Sequence, residues 1–164
     1  MWGSGSGYLD YRLTAPATAT ALLRQGRLLG LSFVAEASAQ ARTSALDESA
    51  PQTDDWPRPS RLTVALDGAP LLSRALPDDP SDARGILSLL NGYHWGEYGD
   101  VVTATLPAGD ARLAAVAATL RRAGGALTLR LAVPASQPGG LTLYGDAVGR
   151  VPAPLTLRLI VATS

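Results

Sequence analysis

The sequence predicts an all-β fold, namely an antiparallel two-sheet sandwich or jelly roll with one short crossover helix at about residues 111–122. Three observations lead to this prediction. Apolar and polar residues alternate at period two in several short segments, which is the pattern of half-buried antiparallel strands. The 17 glycines and 12 prolines supply turn residues between these segments. The regular alternation of strands and helices that marks a doubly wound α/β fold is missing.

The alternation is clearest in residues 29–37, where Leu29, Leu31, Phe33, Ala35 and Ala37 share one face. Ser32 and Glu36 lie on the opposite face, which we expect to meet solvent. The same pattern places Leu9, Tyr11 and Leu13 on one side of an earlier strand. About eight strands are predicted in all. They contain residues 9–13, 29–37, 62–66, 71–72, 101–106, 127–133, 141–144 and 155–159.

Asp67 and Gly68 separate the third and fourth predicted strands. An Asp-Gly pair tolerates the two positive φ angles of a tight hairpin turn, so these strands are predicted to form a hairpin. The predicted helix follows Asp110, a residue type that caps helix N-termini, and precedes Gly124. Residues 19–25 have a weaker helical pattern, and we interpret them as a loop or short turn.

The composition excludes several kinds of chemistry. The chain has no cysteine and one histidine, so disulfides, cysteine nucleophiles and metal sites built on cysteines or on two histidines are excluded. All 14 basic residues are arginine, and they balance 14 acidic residues to a net charge of zero. Without a basic stripe, nucleic acid is not an expected partner. No apolar run approaches the roughly 20 residues that cross a bilayer, so no membrane partner is expected.

The length of 164 residues suits one domain. Residues 1–7 are rich in glycine and serine and are interpreted as a flexible linker or a cloning remnant, with the sandwich at 8–164. They do not have the pattern of a signal peptide, and the cellular location is left open. Residues 40–60 combine acidic residues with Pro51, Pro57 and Pro59, so they are predicted to be a long surface connection.

The segment 82–100 concentrates the rare residue types, including the only histidine and the only asparagine. Aromatic rings offer flat apolar faces, and amide, carboxylate and guanidinium groups offer directional hydrogen bonds. A sugar ring needs both, so the segment is a candidate carbohydrate-binding loop. Alternatively, the rings cover the end of the sandwich core. Trp56 is a second candidate stacking residue. The candidate ligand-binding residues are Arg84, Asn91, Tyr93, His94, Trp95 and Glu97.

Asp78, Asp79 and Asp82 lie close together in a proline-containing stretch. Their oxygens suit calcium, or else they bond their own backbone in a turn. No other cofactor is expected. A glycosidase needs two carboxylates across the scissile bond, and the spacing of Glu97 with Asp82 or Asp100 does not single out a pair. No nucleophile-elbow motif accompanies His94. No catalytic residue is therefore assigned.

The second half of the chain resembles an accessory galactose-binding-like β-sandwich domain of bacterial family 2-like glycoside hydrolases. The resemblance lies in the Leu-Pro-Asp-Asp-Pro stretch at 76–80, Arg84-Gly85 before a strand, Tyr98-Gly99, and the Gly-Gly-Leu strand at 139–144 that ends at Tyr144-Gly145. It covers roughly residues 60–160. It implies a non-catalytic module beside the catalytic domain of a parent enzyme, which either binds a polysaccharide or oligosaccharide or has a structural role. It assigns no catalytic residue to this chain.

Three functions therefore remain open at this point. The first is a carbohydrate-binding or accessory module of a larger glycan-degrading enzyme. The second is a structural interdomain module that binds no sugar, for which a flat apolar patch and an inward-facing Trp95 are expected. The third is a stand-alone hydrolase that uses Glu97 with an aspartate.

Overall fold

The computed structural model describes residues 2–3, 5–39, 60–76, 99–145 and 155–162. These residues form two antiparallel sheets and two helices, which confirms the predicted two-sheet β-sandwich. The elements in chain order are β1 Trp2–Gly3, β2 Gly7–Thr14, α1 Ala17–Arg24, β3 Leu28–Ser38, β4 Ser60–Leu66, β5 Ala69–Leu76, β6 Asp100–Leu106, α2 Ala111–Arg122, β7 Ala126–Val133, β8 Leu141–Leu143 and β9 Thr156–Val161.

The first sheet is built around β3, which pairs with β6 along one edge and with β8 and β9 along the other. Strand β1 pairs with β8. The second sheet has the order β2-β7-β4-β5. Trp2 and Gly3, which the sequence assigned to a linker, therefore pair with Thr142 and Leu141 at the side of the first sheet.

Strands β8 and β9 pair one after the other with successive parts of β3, on the same side of it. The backbone N–H of Tyr144 donates to the carbonyl of Glu36 at 3.1 Å, and Thr156 is the register partner of Val34. Only Ala35 separates these two positions on β3, whereas residues 145–155 separate them in the sequence. On this side, the neighbour of β3 is thus formed by two pieces of chain in nearly continuous register.

The core lies between the facing sides of the two sheets, as the alternation predicts. Leu31 and Phe33 of β3 are fully buried, together with Leu129 and Leu131 of β7. Leu29 was expected on the same face, but it is 48% exposed because the pairing of β3 with β9 shifts register between Leu28 and Gly30. An irregular register at a strand end turns a side chain away from its alternating position.

The predicted hairpin is confirmed. Asp67 and Gly68 have φ angles of 45° and 83° and join β4 to β5. The carboxylate of Asp67 accepts the backbone N–H of Thr128 at 3.0 Å, so the turn is also attached to β7.

Both helices connect one sheet to the other. Helix α2 has the predicted bounds, begins at the Asp110 cap and buries Leu113, Val116 and Leu120. The prediction of a single helix is wrong, because α1 forms where a loop or short turn was expected. Its cap, Pro16, makes no side-chain hydrogen bond, and only Leu23 is buried, so the local signals are weak. Contacts with α2 hold α1 in place.

We expect Leu31→Ala to lower the free energy of unfolding by about 2–5 kcal/mol, because a fully buried leucine leaves a cavity in the core. Leu29→Ala is the matched control on the same strand and should change it by less than about 0.5 kcal/mol. Urea denaturation measures both values. Equal losses of stability for the two variants would contradict the placement of Leu31 in the core and of Leu29 at the surface.

The Asp110 cap should make stability depend on pH. Hydrogen bonds from the Arg112 side chain, and then from its backbone N–H, lower the pKa of Asp110 below its ordinary value. The folded state therefore gains stability above the unfolded pKa of about 3.9 and loses it as the pH falls through the folded pKa. We expect Asp110→Asn to lower the Tm at pH 7, and the difference from wild type to shrink near pH 2. A difference of the same size at both pH values would contradict this role.

Candidate functional site

The residues that the sequence marks as ligand-binding lie outside the part of the chain that the structure describes. This holds for the predicted loop residues Arg84, Asn91, Tyr93, His94, Trp95 and Glu97, for Trp56, and for Asp78, Asp79 and Asp82. The structure does describe the residues at which these segments meet the sheets.

These meeting points lie at one end of the sandwich, opposite the two helices. Strand β3 ends beside the start of β6, since Ala37 is the register partner of Asp100. Strand β4 begins beside the end of β5, since Ser60 is the register partner of Leu76. We call this the distal end. In the sequence, residues 40–59 lie between β3 and β4, and residues 77–98 lie between β5 and β6.

A buried polar cluster lies at the distal end, formed by Glu36, Ser38, Gly99 and Tyr144. Glu36 was expected to meet solvent on the outer side of β3, but it is only 2% exposed. Its Oε1 accepts the backbone N–H of Gly99 at 2.9 Å. The hydroxyls of Ser38 and Tyr144 are 3.2 Å apart and share a hydrogen bond. Because a buried carboxylate is costly without hydrogen-bond partners, this contact fixes the backbone at Gly99.

Gly99 is also held by the close approach of its neighbours. A Cβ atom built at this position would lie 2.7 Å from the nitrogen of Ala37 and 2.8 Å from Cδ2 of Tyr144. Real Cβ atoms do not come so close to other atoms, so only glycine fits here. Gly99, the residue that precedes β6, is therefore fixed by the bond from its backbone N–H to Glu36, and its position leaves no room for a side chain.

An ion pair joins the two sheets at the same end. The guanidinium of Arg74 on β5 bonds to the carboxylate of Asp100 on β6. Both side chains remain substantially exposed, so the pair contributes little to stability by itself. It does tie Asp100, one of the carboxylates considered for a hydrolase, to an arginine.

The two described carboxylates of the distal end do not face each other. Asp100 lies opposite Ala37, whose side chain is in the core, whereas Glu36 lies opposite Val101 on the other face of the sheet. Side chains of neighbouring positions project to opposite faces. Glu36 and Asp100 therefore cannot act together across one glycosidic bond.

A second polar surface, which the sequence analysis did not single out, lies on the outer side of β2 and β7. Tyr8 is 68% exposed, and the guanidinium of Arg130 lies 4.1 Å from the centroid of its ring. Arg130 also donates two hydrogen bonds of 2.7 Å to the two carboxylate oxygens of Asp10. These bonds lower the pKa of Asp10 below its ordinary value. An exposed ring beside fixed polar groups is a second surface suited to stacking.

No group of three potential metal ligands occurs among the described residues, and the calcium prediction concerns aspartates outside them. None of the helices that the structure describes is long and apolar enough to cross a membrane.

Comparison with known proteins found no matching family model, no similar curated protein and no similar solved structure.

One feature of the sequence could have been used to predict this buried polar cluster. On the face of β3 that carries Glu36, the next side chain is the small Ser38. Small side chains permit close approach of another segment, but period-two alternation alone places Glu36 in solvent. The partners, Gly99 and Tyr144, are far away in the sequence, so local patterns do not identify the cluster.

We expect Gly99→Ala to lower the free energy of unfolding by about 1–3 kcal/mol, because the added methyl group must displace Ala37 or Tyr144. Gly145→Ala is the matched control, since a Cβ there meets no atom within 4 Å. That control should stay within about 0.5 kcal/mol of wild type. Thermal and urea unfolding provide the two measurements, and a neutral Gly99→Ala would show that the distal end is loosely packed.

Proposed function

We propose that this chain is a non-catalytic carbohydrate-binding module that accompanies the catalytic domain of a larger glycan-degrading enzyme. The observation that carries the proposal is the position at which the aromatic and amide-rich segment joins the sandwich. The segment runs from residue 82 to Asp100, and its last two residues are fixed by Glu36 and Arg74.

A fixed attachment favours binding for a physical reason. Ligands bind more tightly when the loop that contacts them loses little conformational freedom on binding. The Gly99 backbone bond and the Arg74–Asp100 pair restrain the end of the segment, and the β4–β5 hairpin fixes the chain at Leu76, before the segment begins. A rigid scaffold that presents a variable loop is the common arrangement of binding sites in β-sandwiches.

The residue types of the segment indicate the ligand class. Tyr93 and Trp95 would stack on the C–H faces of a sugar, and Arg84, Asn91 and Glu97 would bond its hydroxyls. Trp56 is the proposed second stacking residue. The resemblance to accessory domains of family 2-like glycoside hydrolases supports the same assignment. Calcium held by Asp78, Asp79 and Asp82 belongs to the proposal as an optional ligand.

One observation favours the alternative of a structural interdomain module. Leu29 and Ile160 are 48% and 50% exposed on neighbouring strands of the first sheet. Exposed apolar side chains that lie close together are typical of surfaces that another domain covers. Under this alternative, Trp95 is buried and no sugar is bound.

Affinity electrophoresis through gels that contain plant, algal or bacterial polysaccharides tests the proposal. We expect at least one polysaccharide to retard the wild-type protein, and Tyr93→Ala and Trp95→Ala to abolish the retardation because each removes a stacking ring. Arg121→Ala is the control, since it truncates an exposed side chain on helix α2, at the end of the sandwich opposite the distal end. Parallel gels with calcium and with a chelator test the role of the three aspartates. A folded protein that no polysaccharide retards would contradict the proposal.

Tryptophan fluorescence distinguishes the carbohydrate-binding module from the structural interdomain module. In a variant with Trp2→Phe and Trp56→Phe, only Trp95 emits, and acrylamide quenching reports its exposure. The binding module predicts strong quenching that a bound sugar reduces, whereas the interdomain module predicts weak quenching with no response to sugar.

A further inference from the structure

Strand β2 forms one edge of the second sheet, and in the part of the chain that the structure describes it pairs only with β7. All eight residues of β2 keep one register with β7, without a bulge. The opposite edge strand, β5, is protected by Pro70, by a register shift and by contacts with β6. Among the described residues, strand β2 has none of these protections, so its free edge is suited to pairing with another strand.

The hydrogen bonds to β7 determine which backbone groups face the free edge. The N–H of Ala15 donates to the carbonyl of Gly125 at 2.9 Å, in the register that β2 and β7 share. Donation alternates along an antiparallel strand, so Leu13, Tyr11 and Leu9 also bond toward β7. The N–H and C=O groups of Tyr8, Asp10, Arg12 and Thr14 therefore point away from β7.

The side chains of these edge residues favour one partner, namely a second copy of the same strand. Consider two β2 strands that pair antiparallel with Tyr11 opposite Tyr11 of the second copy. Asp10 then lies opposite Arg12 of the second copy, and Arg12 lies opposite its Asp10. A register centred on Asp10 places the two Asp10 side chains opposite each other, and a register centred on Arg12 places the two Arg12 side chains opposite each other. Like charges in directly opposite positions are unfavourable. Among these three registers, only the one centred on Tyr11 pairs both charges.

The register centred on Tyr11 also satisfies the free backbone groups. It makes hydrogen-bonded pairs of Tyr8 with Thr14 and of Asp10 with Arg12, each formed twice by symmetry. Four such pairs with two bonds each give about eight hydrogen bonds between the copies. Arg12 is exposed and forms no ion pair with any residue that the structure describes. It is therefore free to meet Asp10 of the second copy, while Arg130 remains on the other side of that carboxylate.

The core side of β2 has apolar surface left to bury. Leu9, Tyr11 and Leu13 pack against the core but remain partly exposed, as do Leu157 and Leu159 on β9. In the register centred on Tyr11, Leu9 meets Leu13 of the second copy and the two Tyr11 rings meet at the symmetry axis. Removing this apolar surface from water adds to the backbone hydrogen bonds.

We propose that two copies of this chain associate through antiparallel pairing of their β2 strands, so that the two second sheets form one continuous sheet across a two-fold axis. This inference is independent of the proposed sugar binding, because the β2 edge and the segment 82–100 share no residue.

Disulfide trapping tests the register, because the chain has no cysteine of its own. Tyr11→Cys places two thiols opposite each other in a non-hydrogen-bonded pair, where the Cα separation of about 4.5 Å permits a disulfide. We expect mild oxidation to convert most of this variant to a covalent dimer. Thr14→Cys is the control, because its thiol is exposed but lies opposite Tyr8 of the second copy. Equal cross-linking of both variants, or of neither, would overturn the register.

Mass measurement by light scattering and sedimentation tests the association itself. At high concentration we expect about twice the chain mass of 16.9 kDa. Arg12→Asp should raise the dimer Kd at least about tenfold, because aspartates then face each other. Arg121→Asp makes the same charge change at an exposed position of helix α2 and should leave the Kd unchanged. Mixing Arg12→Asp with Asp10→Arg should restore dimers, since their charges are complementary.

Two outcomes would overturn the proposal. One is a wild-type chain that stays at 16.9 kDa at the highest attainable concentration. The other is a dimer whose Kd responds equally to Arg12→Asp and Arg121→Asp, which would place the interface elsewhere. Far-UV circular dichroism of each variant shows that the mass refers to folded protein.

Discussion

The two sheets hold together because the leucine, valine and phenylalanine side chains of their facing sides are removed from water. Each fully buried side chain of this kind contributes about 1.5–3 kcal/mol relative to exposure. Phe33 of β3 and Leu131 of β7 are completely buried in this layer. The same need to remove apolar side chains from water explains why both helices pack against the end of the sandwich. Each helix connects one sheet to the other at the same end of the sandwich, where Leu23 and Leu120 extend the core.

Because the helices occupy one end, the long connections meet the strands at the other. Among the described residues, directional polar contacts join segments of the distal end that are far apart in the sequence. Glu36 receives the backbone N–H of Gly99, and Ser38 bonds to Tyr144. Such contacts are directional, whereas apolar burial is not. They therefore fix where the chain enters β6, which is the property that a loop with a binding role requires.

The sequence predicted those parts of the fold that depend on local patterns. Alternation placed Val64 in the core correctly, but it failed for Glu36, because the outer face of β3 is also covered at that position. The Asp67-Gly68 turn and the Asp110 cap are signals within a few residues, and both are present in the structure. Helix α1 has weak local signals and depends on α2, so it was missed. The bond from Gly99 to Glu36 joins segments more than 60 residues apart, and no local pattern encodes it.

The interrupted strand opposite β3 has a consequence for how this domain tolerates change. The positions of β8 and β9 are each set by their own pairing with β3, on either side of Ala35. The number of residues that joins them is therefore not dictated by the sheet. Doubling such a connection costs only about 0.6 kcal/mol in closure entropy. The pairing of β3 would therefore accommodate a connection of another length between Gly145 and Leu155.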